Sequence, residues 1–375
     1  MIGTIIRRNG RIGKLTLGYM DRHFKKDALT IISNLKEKNQ RFSEKKILLT
    51  GAAGFLGSQF ISYFLALNDS RILPEPCTLY CLDNFMRGVP DWLAQFEDRG
   101  DLKIVEGNIV VQKTFPVSDF IIHAASIASP VYYRIHPIET MDANVIGLRN
   151  LLEFVKNTGC ESFLFFSTSE IYGDPSPENI PTPETYRGNV SCTGPRACYD
   201  ESKRYGETLC VNFWQQYGTP VKIARPFNNY GPGLKITDKR VLPDFFRDVL
   251  AGKDINLLSD GKATRTFCYI SDAITGYLLI LLSGYNGESF NIGTEKPEIS
   301  MLELAKKVIA ISEKKLNVTY QQSDDKQYLT DNPQRRCPVI EKAKTMLGYS
   351  PAISLDEGLQ RTYEFYLDHS QAVEG

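Results

Sequence analysis

The chain has 375 residues, 42% of them hydrophobic and 23% charged, with a formal net charge of zero at pH 7. That is the composition of a large globular protein with room for two lobes around one site, and it carries no overall electrostatic footprint for nucleic acid. The longest aliphatic run, "YLLILL" at 277–282, is too short to span a bilayer, and four scattered histidines with eight scattered cysteines, none in C-x-x-C spacing, offer no metal site. The start of the chain lacks an apolar h-region, so free thiols in a reducing cytoplasm are the expectation.

Charge is uneven along the chain. Residues 1–46 hold twelve Lys or Arg against four acids, a charge of +8 that the remainder balances with −8. This basic N-terminal extension, 1–44, reads as a solvated helical arm, with docking on an anionic membrane as the alternative. Within it "DALTIISNLKEK" has helical apolar spacing and can pack on the body.

From Lys46 the texture changes. "KILLTGA" is a short apolar run that ends in glycine, as a buried parallel strand does, and "GFLGSQFISYFLAL" follows with helical periodicity. Further strand-like runs are "CTLYCLDN" (77–84), "LKIVEGN" (102–108), "DFIIHAAS" (119–126), "SFLFFSTSE" (162–170) and "VKIARPFNNYGP" (221–232). Helical stretches, notably 138–157, separate most of them. The alternation predicts an α/β protein with a Rossmann-type doubly wound parallel sheet over 45–230. Beyond Gly231, short strands such as "DINLLSD" and "SFNIG" mix with helices near 238–251, 271–283 and 301–312. This predicts a smaller C-terminal lobe, 231–375, that binds substrate over the sheet's carboxyl edge.

"TGAAGFLG" places Gly51, Gly54 and Gly57 at the first strand-to-helix turn, where glycines let the backbone approach a pyrophosphate at a helix N-terminus. Asp83 ends the second strand, 26 residues after Gly57. A carboxylate there accepts from an adenosine ribose and repels a 2′-phosphate, which favours NAD over NADP. In "GPRACYDESKR" (194–204), Tyr199 and Lys203 are four apart and share a helix face. A neighbouring ammonium lowers a phenol's pKa from about 10, so the pair is a candidate base.

Glycine triplet, Asp83, "HAAS", "STSE" and Tyr-x-x-x-Lys in this order resemble the extended short-chain dehydrogenases/reductases that act on nucleotide sugars, over roughly 45–367. Within that family "STSEIYGDP", "GPRACYDESKR", "GKATRTFCYISD" and "DNPQRRCP" are similar to the UDP-glucuronate decarboxylases. The resemblance implies that Tyr199 removes the proton of the sugar 4-hydroxyl. Lys203 lowers its pKa and holds the nicotinamide ribose, and Thr168 bonds the same hydroxyl. It implies that Ser169 and Glu170 hold and reprotonate the enolate left by carbon dioxide, and that Arg265 serves the carboxylate or donates a proton. Tyr133 matches a residue near the sugar carboxylate, Asn228 a diphosphate ligand, and Arg336 an arginine on the nucleotide side. Phe55, Leu56, Asn84, Asn108, Ile109, Ala124 and Ala125 complete the implied NAD site. The helices at 138–157 and 199–217 resemble the pair that makes the family's dimer bundle.

The stretch "ETYRGNVSCT" departs from the decarboxylase pattern: Arg187 stands for a tryptophan and Ser191, Cys192 and Thr193 for Asn-Pro-Ile, near the sugar. Asn108 stands where an aspartate commonly contacts adenine. Siblings therefore remain open, namely a 4-epimerase, a 4,6-dehydratase or a synthase forming apiose or a 4-keto-pentose. So does a non-catalytic NAD-binding sensor. On the residues alone, Ser169 and Glu170 can also cap a strand, Arg265 can be a structural ion-pair partner, and Tyr133 can be packing.

Overall fold

The computed structural model describes residues 20–86, 88–321 and 330–369. The part of the basic arm before residue 20, and with it the membrane reading, lies outside the described residues. Strands β1 (Lys46–Thr50), β2 (Thr78–Asp83), β3 (Leu102–Glu106), β4 (Phe120–His123), β5 (Ser162–Phe166), β6 (Val221–Pro226) and β7 (Ser289–Ile292) form one sheet in the order β3-β2-β1-β4-β5-β6-β7, every pairing parallel.

Both faces of the sheet are covered, which is why the strands read as unbroken apolar runs. Alternation sorts the side chains. Leu48, Ile121, Phe163, Phe165 and Ile223 turn toward helices Leu148–Thr158 and Ala197–Tyr217. Ile47, Leu49, Phe120, Ile122, Leu164 and Phe166 turn the other way, toward helices Arg22–Leu35, Phe55–Asp69 and Ile270–Leu281. In chain order the helices are α1 (Arg22–Leu35), α2 (Phe55–Asp69), α3 (Leu148–Thr158), α4 (Ala197–Tyr217), α5 (Val241–Leu250), α6 (Ile270–Leu281), α7 (Met301–Ser312) and α8 (Leu355–Asp368), with shorter turns between them. The stretch predicted as one helix over 138–157 is Pro137–Asp142, a wide π turn Ala143–Gly147, and α3.

The boundary expected near residue 230 is crossed. "SFNIG", read as a lobe strand, supplies β7 at the edge of the main sheet, in register with Ile223–Pro226. Every residue of α6 is buried, and a helix apolar all round must be sandwiched. Here it lies between the sheet and a layer made by α1, α2 and the short helix Glu341–Leu347. What remains of the lobe is α5, α7 and α8 with small strand pairings, of which Thr264–Arg265 between Ile299–Ser300 and Arg335–Arg336 reaches the site. Its helix α7 opens with a capping box between Ser300 and Glu303.

The N-terminal helix is part of the body. Ala28, Ile31, Ile32 and Leu35 form an i, i+3, i+4, i+7 stripe that packs on α2 and α6. Asp21 caps it by accepting from the His23 N–H at 2.8 Å. Buried Asp27 accepts from the Tyr269 hydroxyl at 2.9 Å and pairs with Arg361 of α8 at 3.3 Å, so α1 ties the sheet to the lobe. From residue 20 onward the expected extension is therefore core.

Candidate active site

Strand order reverses between β1 and β4, and at such a switch point the loops beyond the strand ends diverge and open a crevice. Here that crevice is a cleft of about 1940 Å³, and all the site residues named from the sequence line it. At its cofactor end Gly51 has φ +76°, and a Cβ there would lie 2.7 Å from the Ala124 carbonyl carbon and the Ala125 nitrogen. A Cβ on Gly57 would lie 2.4 Å from the Ala52 oxygen. Helix α2 then starts at Phe55 with no side chain capping it, which leaves its first-turn amides to a ligand. Asp83 is fixed at the loop, accepting from the Ala53 N–H at 3.0 Å and the Phe85 N–H at 3.1 Å. Asn84 and Asn108 spend their side-chain oxygens on the amides of Met86 and Val110, closing turns. Ile109 packs in the core under α3. Ala124 donates to the Thr50 carbonyl, which sets the floor beside Gly51. A backbone cradle that side chains would fill, with a carboxylate at its rim, fits a dinucleotide.

At the other end β5 runs into Thr168, which caps the turn Ser169–Tyr172 by accepting from the Glu170 N–H at 3.2 Å. Tyr199 is buried, shares a hydrogen bond with the Thr168 side chain, and stacks on Tyr133 with ring centroids 5.1 Å apart and planes 8° apart. Tyr133 keeps a buried hydroxyl without a partner. Lys203 does share the helix face, but its Nζ donates to the Phe166 carbonyl at 2.8 Å and stands 5.8 Å from the Tyr199 ring centre. It does not lower the phenol in this arrangement. Burial pushes Tyr199 up, only partly offset by Thr168. Burial likewise pushes Lys203 down to about 7. The i, i+4 spacing brought the two together on a face; burial decided their protonation.

Glu170 is enclosed by cations. Arg336 grips it with two bonds, 2.6 Å and 2.5 Å, and Arg196 holds the same carboxylate. Burial would raise this carboxyl, but Arg196, Arg336 and Arg265 outweigh it and hold it down to about 2. Arg336, expected on the nucleotide side, thus sits on the carboxylate two residues beyond Thr168. Arg265 donates to the carbonyls of Thr264 at 2.8 Å, Gln334 at 3.1 Å and Pro333 at 2.5 Å. Among the described residues no carboxylate lies within ion-pair distance of it, and burial followed by Arg336 pushes it down to about 9. Asn228, at φ +41°, donates to the Thr266 carbonyl at 2.9 Å, so its amide also holds the loop after β6. Ser169 is buried beside Glu170.

Arg196 and Asp200 are the site residues that sequence reasoning passed over. Arg196 lies three residues before Tyr199 in "GPRACY", a helical neighbour by spacing. Arg240, which also bears on the Tyr199 phenol, carries no signal in the sequence.

The profile of the NAD dependent epimerase/dehydratase family matches residues 47–293. The chain belongs to this family. It is 36% identical over 324 residues to UDP-glucuronic acid decarboxylase 5 of Arabidopsis thaliana, covering 86% of this chain and 90% of that protein. It is also 36% identical to UDP-glucuronic acid decarboxylase 1 of Xenopus tropicalis, covering 88% of this chain and 73% of that protein. Among solved structures, UDP-glucuronic acid 4-epimerase from Bacillus cereus, in complex with UDP-glucuronic acid and NAD, superposes with a TM-score of 0.72 at 27% identity, covering 86% and 99% of the two chains. UDP-glucose 4-epimerase from Thermotoga maritima, with UDP-glucose, gives 0.75 at 25%, covering 87% and 99%.

The family is NAD dependent, and the glycine cradle has the backbone shape that fits the cofactor's pyrophosphate. Gly51→Ala combines a left-handed backbone with a backbone clash, so NAD affinity is expected to fall at least about tenfold and stability by about 1–3 kcal/mol. Calorimetric titration with NAD and thermal unfolding check both.

Proposed function

We propose that this family member decarboxylates a nucleotide-linked hexuronic acid, UDP-glucuronate to UDP-xylose, through a 4-keto intermediate. The observation that carries the reading is the arrangement of Arg196, Arg265 and Arg336 around one ionised glutamate beside Tyr199. Such a site holds more positive charge than Glu170 neutralises, as a substrate carboxylate requires.

NAD bound at the cradle supplies the hydride acceptor for the first step and the hydride donor for the last. Tyr199 takes the proton of the sugar 4-hydroxyl at its phenolic oxygen, with Thr168 bonding the same hydroxyl; burial keeps the phenol protonated in the arrangement described, so its base form requires the positive charge that bound NAD would bring beside it. The resulting 4-ketone is β to the carboxylate, so the electrons of the C5–carboxylate bond pass into it and carbon dioxide leaves. Glu170 was the expected acid for the enolate, but a carboxyl held down to about 2 has no proton to give near neutrality. Its role is to fix Arg196 and Arg336. Arg265, buried and held by backbone carbonyls rather than by a carboxylate, is the group placed to protonate C5, and Ser169 bonds the enolate oxygen. Lys203, anchored on Phe166, orients the nicotinamide ribose.

UDP-glucuronate and other nucleotide sugars incubated with the protein and followed by mass spectrometry test this. Loss of carbon dioxide with a UDP-pentose product and no net NADH is expected. An unchanged mass with an epimerised sugar favours the second reading, a uronate 4-epimerase, which the likeness to the Bacillus cereus enzyme supports.

A homodimer is part of the proposal. Ile138, Met141 and Ile146 on 137–147 and Tyr205 on α4 are exposed side chains on adjoining helices, an apolar face that a second copy would cover. Ile138→Asp with Met141→Asp is expected to convert a dimer of about 85 kDa, twice the 42.3 kDa chain, to monomer in light scattering. All eight cysteines are free, which supports a reducing cytoplasmic setting.

A further inference from the structure

Arg196 is divided between two carboxylates. Its Nη2 holds Glu170, while its Nε lies 3.7 Å from Asp200 Oδ2, beyond a hydrogen bond. That Nε and Asp200 Oδ1 are both buried atoms without a hydrogen-bond partner. Asp200 itself is only 4% exposed. A buried donor and a buried acceptor left unpaired are costly, so the arrangement invites a reason.

Behind the pair lies a second, polar cavity of about 430 Å³, lined by Asp200, Asn189 and Asp331 and sharing Arg196, Asn332 and Gln334 with the main cleft. Asp200 therefore borders a chamber roomy enough for water, which gives its proton an exchange route that does not cross the sugar site. The charged and titratable groups around it come from every neighbouring element: Glu170 from the turn after β5, Arg196 from its own helix end, and Asp331 and Arg336 from the C-terminal segment. Tyr133 and Tyr199 approach from the cleft, and Asp174 stands across the chamber.

We propose that Asp200 is a positioning residue that sets, through Arg196, how many guanidinium charges around Glu170 remain free for the carboxylate of an incoming uronate. The inference rests on the proposed function. With Asp200 neutral, Arg196 and Arg336 pair with Glu170 while Arg265 stands nearby, and the cluster of three guanidiniums and one carboxylate carries +2. With Asp200 ionised, Arg196 has a second claimant and the cluster falls to +1. Burial and then Glu170 push the Asp200 carboxyl up to about 8, against Arg196 and Arg336. The neutral form thus prevails at neutral pH and is lost as the pH rises through that value.

The test compares UDP-glucuronate with UDP-glucose, titrated calorimetrically into the full-length, NAD-loaded protein between about pH 6.5 and pH 9. The ratio of the two affinities isolates the carboxylate. In the wild type the ratio is expected to fall about fivefold to tenfold across that range, the effect of one charge at short range in a partly screened site. In Asp200→Asn it should stay within about twofold, the part left to Arg265, which burial and Arg336 push down to about 9, because residue 200 is then permanently neutral. Asp200→Ser, smaller and uncharged, gives the same reading if the asparagine variant does not fold. A flat wild-type ratio overturns the inference, and so does a fall of the wild-type size in both variants. If UDP-glucuronate is never preferred at any pH, the proposed function itself has failed.

Discussion

Tyr199→Phe is expected to lower kcat on UDP-glucuronate about a thousandfold while NAD stays bound, the loss typical of removing a general base. The substitution deletes one oxygen and leaves the ring. The stack on Tyr133, at 5.1 Å and 8°, survives, and so does the burial of the aromatic body in α4. The stability lost should be near the net worth of one hydrogen bond to Thr168, about 1 kcal/mol. Single-turnover kinetics read the chemistry, and the absorbance of co-purified NAD reads the cofactor. Turnover unchanged from wild type would remove Tyr199 from the mechanism. Loss of NAD together with turnover would make it a binding residue instead.

Glu170→Gln is expected to do the reverse, acting on stability as strongly as on rate. Glutamine keeps the shape but leaves Arg196 and Arg336 buried with no counter-charge, and breaking a buried ion pair on one side costs about 3–5 kcal/mol. Thermal unfolding should register that loss. Added UDP-glucuronate should recover more of it than UDP-glucose does, because its carboxylate takes the vacated place between the guanidiniums. The pH dependence has a definite sign. The folded carboxyl lies near 2, against an ordinary value of 4.5. Its contribution is therefore complete above the ordinary value and is lost as the pH falls toward 2. The stability gap between wild type and variant should thus be full at neutral pH and narrow only in acid. An unchanged melting temperature at pH 7 would show that the three arginines do not need this glutamate.

Much of the sheet was legible because each strand carries its own evidence: an apolar run of strand length bounded by polar or turn residues. The cofactor turn was legible because its glycines are local. Gly57 is denied a side chain by Ala52 and Gly51 of its own turn, Gly51 by its φ of +76° before any distant contact, and Asp83 follows directly on the Thr50–Leu82 pairing of the first two strands. Asn228 and Arg336 were legible as motif residues but not as contacts. The first is partly occupied in holding its own loop, and the second crosses the molecule to Glu170 over 166 residues of chain. No periodicity encodes such a meeting.

The sequence by itself determined the parallel order of elements after Lys46, the glycine cradle and the shared face of Tyr199 and Lys203, since period and spacing act within a few residues. Only the tertiary structure decided that α1 and β7 join the Rossmann body, that Lys203 turns to Phe166 rather than to the phenol, and that Arg196 and Arg336 grip one carboxylate with Arg265 nearby. Burial and convergence are properties of segments distant in sequence, and they, rather than residue type, set the charge each of these groups carries.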